Sequence, residues 1–139
     1  MMKLEYREQL SPEDYNKLRQ AVGWGALCLE QAQLGLTHSA LVVSCYSNSE
    51  IAGCARLLWD HGYMAYIADV MVLPELQGQG IGREMIQRIL AFLKAQIKED
   101  WRMMVVLVAT EGREPFYKKL GFRERPCEGS GAGMDFWLA

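Results

Sequence analysis

Little in this sequence supports a metal or disulfide framework: there are four cysteines and two histidines in 139 residues. Cys28, Cys45, Cys54 and Cys127 are scattered without paired two-residue spacing, and only His38 and His61 could complete a zinc site. They read as reduced, partly buried thiols acting as small hydrophobes, with no metal expected. Long apolar runs are also missing. The stretches at 40–45 and 103–109 fall far below the roughly 20 residues a membrane-spanning helix needs. Charge of one sign is not in excess, since the formal net charge is −2, which argues against nucleic acid or an anionic membrane as partner. The first eight residues alternate charge and lack an apolar segment with a small-residue cleavage site, so a mature, cytoplasmic protein is expected. Internal repeats, low-complexity tracts and interdomain linkers are absent.

Half of the residues are hydrophobic, enough for one substantial core and too few residues for two, so a single domain spanning 1–139 is expected. A first strand is predicted at 3–8. Ser11-Pro12-Glu13-Asp14 supplies an N-cap, a proline at the first helical position and early acids, predicting a helix over 12–21. Gly23 and Gly25 break it, and a second short helix over 26–33 should end at Gly35. Residues 40–46 and 50–59 read as a hairpin around Ser47-Asn48-Ser49, and 63–73 as a third antiparallel strand stopped by Pro74. From Ile81, apolar residues at Met85, Ile86, Ile89, Leu90, Leu93 and Ile97 follow a helical period. A buried strand at 103–109 should then lie parallel to its predecessor, because a helix separates the two. A short helix over 114–120 stops at Gly121, and 134–138 is predicted as a last strand. The fold class is α/β (α+β), with a mixed central sheet whose first half is antiparallel and about four flanking helices.

The centre of this arrangement is the turn Gln77-Gly78-Gln79-Gly80-Ile81-Gly82, where a strand passes into a helix. Glycines there let backbone amides approach a ligand closely, and those amides with the helix dipole suit an anion. A Walker-type loop would need Lys and then Ser or Thr after its last glycine, whereas Arg83-Glu84 follows Gly82. A dinucleotide fold would need the glycines after the first strand of a βαβ unit, and the antiparallel strands before this turn oppose that. On spacing alone the loop could be no more than a tight connection.

The run from Asp69 through Val70, Met71 and Val72 to Gly82 resembles the acetyl-CoA motif of the GNAT family of N-acetyltransferases, whose pattern is Arg/Gln-x-x-Gly-x-Gly/Ala after a strand. Gln77, Gly80 and Gly82 fill the patterned positions. Phe116-Tyr117-Lys118-Lys119-Leu120-Gly121-Phe122 is similar to a second signature of the family. The resemblance covers roughly 41–122; residues 12–37, which shape the acceptor pocket in such enzymes, match only in being helical. It departs at Thr110, where the family often carries Asn seven residues before the tyrosine.

The resemblance implies transfer of an acetyl group from acetyl-CoA, as cosubstrate, to a primary amine of a small molecule or peptide, by direct attack in a ternary complex. It implies a pyrophosphate held by Gln77, Gly78, Gln79, Gly80, Ile81, Gly82 and Arg83. The pantetheine arm would bond to backbone at Val70 and Val72 where two parallel strands splay, with Val70 and Met71 amides as oxyanion donors. Tyr117 matches the family's general acid, giving a proton to the departing thiolate; packed with Phe116 and Phe122 it could equally be core. An alkylamine must lose a proton to attack, to a carboxylate or a string of waters; Asp69, Glu75 and Glu111 are the candidates, and Asp69 is placed on the side of Ile67 and Met71. Trp24, Trp59, Tyr63 and Tyr66 are candidates for lining the acceptor pocket, Trp24 foremost. Lys118 and Lys119 could face an outer phosphate or solvent. A non-catalytic acyl-CoA sensor is the rival reading, and a homodimer follows the family's habit.

Overall fold

The computed structural model describes residues 2–139 and divides them into two compact units, one running to Val106 and the other Leu107–Ala139. The first unit carries β1 (Leu4–Arg7), α1 (Pro12–Ala21), α2 (Leu29–Thr37), β2 (Leu41–Ser47), β3 (Glu50–Trp59), β4 (Met64–Val72), a 3-10 turn at Pro74–Leu76 and α3 (Ile81–Gln96). β5 (Met104–Leu107) ends at the boundary, and α4 (Glu114–Lys119) belongs to the second unit. The sheet order is β1-β2-β3-β4-β5, antiparallel from β1 to β4 and parallel between β4 and β5.

Local chemistry accounts for most of these elements. Ser11 Oγ accepts the Asp14 amide at 3.1 Å, Pro12 opens α1, and Glu13 and Asp14 sit at the positive end of its dipole. β2 and β3 are joined by Asn48 and Ser49 at φ 51° and 72°, the two left-handed residues that a tight hairpin with the native twist requires. In α3 the buried residues are Ile81, Met85, Ile86, Ile89 and Leu93, one helical stripe worth about 1.5–3 kcal/mol per aliphatic side chain removed from water.

That stripe covers one face of the sheet. A β-carbon on Gly53 would lie 3.2 Å from Met85 Cε and 3.3 Å from Ile81 Cγ2, so the glycine lets α3 settle directly on β3. On the other face Tyr15 and Leu18 of α1 and Ala32 and Leu36 of α2 pack with Cys54 and Met71. Cys45 and Cys54 are buried free thiols, as expected, and Cys28 and Cys127 are free as well. The Cys54 thiol is pushed up by burial.

Four expectations need correction. α2 starts after Cys28 and runs through Gly35 to Thr37, because buried Leu36 anchors its second turn and offsets the roughly 1 kcal/mol cost of a helical glycine. Residues 26–28 form a connection whose Leu27 backbone is gripped by buried Asn16 in α1, with Nδ2 donating to Leu27 O at 2.8 Å and Oδ1 accepting from Leu27 N at 3.0 Å. β5 is four residues, shorter than 103–109. No strand forms at 134–138, where Met134, Phe136, Trp137 and Leu138 are exposed. Lastly, Ile67 and Met71 lie on opposite faces. Leu57 pairs with Ile67 and Arg56 with Ala68, but Cys54 pairs with Met71, so β4 holds one extra residue. Asp69, at φ 53°, is in that bulge.

Candidate functional site

The turn after β4 combines three features. Gly78 and Gly80 hold φ 81° and 86°, and a β-carbon on either would meet nothing within 4 Å, so the loop surface is open. Gly80 caps α3 without any side-chain hydrogen bond. The first intrahelical bond of α3 runs from Glu84 N to Gly80 O, so the Ile81, Gly82 and Arg83 amides have no acceptor within the helix. These donors at a positive dipole end make a cradle for a phosphate or diphosphate.

The strand leading into the turn offers a second polar edge. Leu73 N donates to Ala52 O at 2.8 Å, and Cys54 pairs with Met71. In an antiparallel ladder alternate residues bond the partner strand, so Met71 is directed toward β3 while Val70 and Val72 turn their backbone groups to the other edge. Gln77 confirms that direction for Val72, donating from Nε2 to Val72 O at 3.1 Å. Met71, buried in the core, thereby has its backbone groups on the side of β3. β5 enters level with the start of β4, where Met104 N donates to Tyr63 O at 2.7 Å. At about 3.3 Å per residue its four residues accompany only the first half of β4.

Asp69 is held from two sides. Arg56 Nε donates to Asp69 Oδ2 at 2.6 Å and the Tyr15 hydroxyl donates to the same oxygen at 2.7 Å. No described residue donates to Oδ1, and the whole side chain is largely buried. Arg56 Nη1 also donates to Gly35 O and Ser39 Oγ, at 3.4 and 3.3 Å, tying α2 to the sheet. Beside this group lies a cavity of about 410 Å³ between α1, α2 and β3, with Tyr15, Arg56 and Gln31 as polar members of an otherwise apolar wall.

Other candidates lie elsewhere. Trp24 is 39% exposed on the α1–α2 connection, where Arg19 stacks on its ring at 5.7 Å and on Tyr15 at 5.8 Å. Trp59 is committed to His61 and Phe92, and its Nε1 donates to Gly62 O at 2.9 Å. Glu75 is exposed on the 3-10 turn. In the second unit Glu111 and Thr110 are exposed, and Lys118 pairs with Glu124 at 2.9 Å. Tyr117 is buried against Phe116 and Phe122, with ring centroids 4.9 and 6.1 Å away.

Burial pushes the Tyr117 phenol up to about 12 from 10.0, and Tyr15 rises to about 12 through burial and its bond to Asp69. The folded chain therefore holds these protons more tightly than the unfolded chain does. Their stabilisation is intact below pH 10.0 and is lost as pH rises toward 12. Urea midpoints at successive alkaline pH values should fall across that interval, with tyrosinate absorbance appearing together with unfolding; a flat profile would contradict the burial.

Tyr15, Arg56 and Asn16 were not singled out in the sequence. A signal for Arg56 exists: it is the one cation inside β3, as Asp69 is the one anion inside β4, and the tight turn between the strands brings the two together.

A profile of the acetyltransferase (GNAT) domain matches residues 38–124. An uncharacterized N-acetyltransferase, ycf52, of Pyropia yezoensis is 29% identical over 96% of this chain and 75% of its own length. A ycf52-like uncharacterized N-acetyltransferase of Prochlorococcus marinus is 31% identical over 91% of this chain and 68% of its own. A solved GNAT-family acetyltransferase from Streptococcus pneumoniae superposes with a TM-score of 0.76 at 28% identity, covering 100% of this chain and 98% of the other.

Proposed function

Since the chain belongs to the GNAT family of acetyltransferases, we propose that it moves an acetyl group from acetyl-CoA to a primary amine of a small molecule or peptide, by direct attack in a ternary complex. The observation that carries this reading is the set of first-turn amides of α3 without intrahelical acceptors, at the Gly78–Arg83 turn, standing next to the outward backbone edge of Val72. A diphosphate fits the first and an extended amide-bearing arm fits the second.

In this reading acetyl-CoA supplies an acetyl group activated as a thioester. The Gln79, Gly80, Ile81, Gly82 and Arg83 amides hold the diphosphate, with Gly78 giving the turn its shape and Gln77 bracing it to Val72. Val70 N–H polarises the thioester carbonyl and stabilises the negative charge that grows on its oxygen. Asp69 Oδ1, the oxygen left open by Tyr15 and Arg56, receives the amine proton directly or through a water. Tyr117 returns a proton to the departing thiolate, a role resting on the motif around it. Trp24 meets the acceptor at the α1–α2 connection. Residues 1–139 act as one N-acetyltransferase domain.

Titration calorimetry with acetyl-CoA, followed by thiol release in the presence of an amine panel, tests the proposal. Micromolar or tighter binding and amine-dependent thiol release are expected. Binding without release from any amine would support a sensor instead, and absence of binding would leave the turn as a plain connection.

A further inference from the structure

We propose that the cavity between α1, α2 and β3 holds the acceptor, and that Arg56 selects one bearing a carboxylate: a small α-amino acid with an apolar side chain. This rests on the acetyltransferase reading and narrows its acceptor.

Nε of Arg56 is spent on Asp69 and Nη1 on Gly35 and Ser39, but Nη2 has no acceptor among the described residues. It is not a sealed-off donor either, since no side-chain nitrogen or oxygen among the described residues is buried without a partner, and Arg56 contributes to the wall of the cavity. The N–H groups of Nη2, on a fixed and permanently charged guanidinium, are thereby left for something that enters. A carboxylate oxygen matches that donor in charge.

The rest of the wall limits what accompanies the carboxylate. Leu27, Ala32, Leu34 and Leu36 are apolar, Gln31 is neutral, and Tyr15 keeps its proton at any physiological pH. Among the described residues no carboxylate belongs to the cavity wall, and Asp69 beside it has one oxygen already taken by Arg56 and Tyr15, so a polyamine or aminoglycoside would bring several ammonium groups to a single open acceptor oxygen. The volume of about 410 Å³ lies at the lower end of the range for small-molecule sites, roughly 300–1,000 Å³, which suits one residue-sized ligand.

A second pole stands beside the first. Asp69 Oδ1 is open on the carboxylate that Arg56 and Tyr15 hold. An ion pair with one free oxygen on Asp69 and one free nitrogen on Arg56 is complementary to a zwitterion, ammonium toward Asp69 and carboxylate toward Arg56, with the side chain against the leucines.

The test compares ligands that differ only in the carboxylate. N-acetyl-L-leucine and N-acetyl-L-leucinamide carry no amine charge to confuse the comparison, and both are titrated into the protein with and without CoA. The acid is expected to bind about 10- to 100-fold more tightly than the amide, the usual span for a hydrogen bond to a charged group. Arg56→Lys, which keeps the charge facing Asp69 but loses the fork, should bring that ratio to within about threefold while acetyl-CoA affinity is unchanged. Equal or weaker binding of the acid, failure of both ligands to bind, a ratio untouched in a folded Arg56→Lys protein, or preferential acetylation of spermidine over L-leucine would each overturn the proposal. Failure of the acetyltransferase reading looks different: acetyl-CoA does not bind, or no amine releases thiol, while the acid-to-amide ratio is still measured on the coenzyme-free protein.

Discussion

Gly82→Asp is expected to give a folded protein, no less stable than the parent, that has lost acetyl-CoA binding by more than 100-fold. Gly82 is the second residue of α3 and its backbone is helical, unlike Gly78 and Gly80, whose positive φ any side chain would strain. Replacing a helical glycine relieves up to about 1 kcal/mol, and a carboxylate in the first turn adds roughly 0.3–1 kcal/mol by meeting the dipole. The same carboxylate takes the place reserved for the diphosphate. Two like charges about 5 Å apart repel by roughly 3 kcal/mol at an effective dielectric of about 20, which is more than 100-fold in affinity. Gly82→Ala is the control, adding a methyl group without charge. Calorimetry and a thermal melt read the two effects separately, and a folded Gly82→Asp protein with parental affinity would remove the turn from the site.

Tyr117→Phe should act on the chemical step and hardly on binding. The ring keeps its packing against Phe116 and Phe122, so the stability change is small. General acid catalysis is worth about 10²–10⁴-fold in rate. The lower end is expected here, because a thiol of pKa about 8.5 is a fair leaving group unaided and a phenol held at about 12 gives up its proton reluctantly. The loss should shrink as pH rises toward the thiol pKa, where the thiolate needs no proton. Single-turnover rates at several pH values, with acetyl-CoA affinity measured alongside, check this. Full turnover in the phenylalanine variant, with chemistry rate-limiting, would make Tyr117 a core residue.

Much of the first unit was legible because its signals are local. A cap at Ser11, a proline at position one and the 3.6-residue stripe of α3 need no distant partner to be read, and the hairpin announces itself at Asn48 and Ser49. Misreadings arose where the deciding contact is remote. α2 passes through Gly35 since Leu36 has a core to enter, and 134–138 carries a strand-like pattern yet forms no strand. The glycine turn was plain, and so was the oddity of Asp69 within an apolar strand. What Asp69 does there was hidden, because Tyr15 lies 54 positions away and Arg56 is 13 positions away across a turn. Alternation also grouped Ile67 with Asp69 and Met71 on one face, since a single extra residue breaks the period on which such assignments depend.

That extra residue makes β4 a strand with two phases. Up to Ala68 its inward side chains are timed to α3, and from Met71 onward they are timed to α1 and α2. The chain should thus be far more sensitive to the length of this segment than to its composition. Asn or Gly at position 69 would keep the count and tolerate the left-handed backbone, whereas deleting the residue would turn Met71 out of its cluster, swap the edges presented by Val70 and Val72, and carry the glycine turn one residue out of step with the helix it opens.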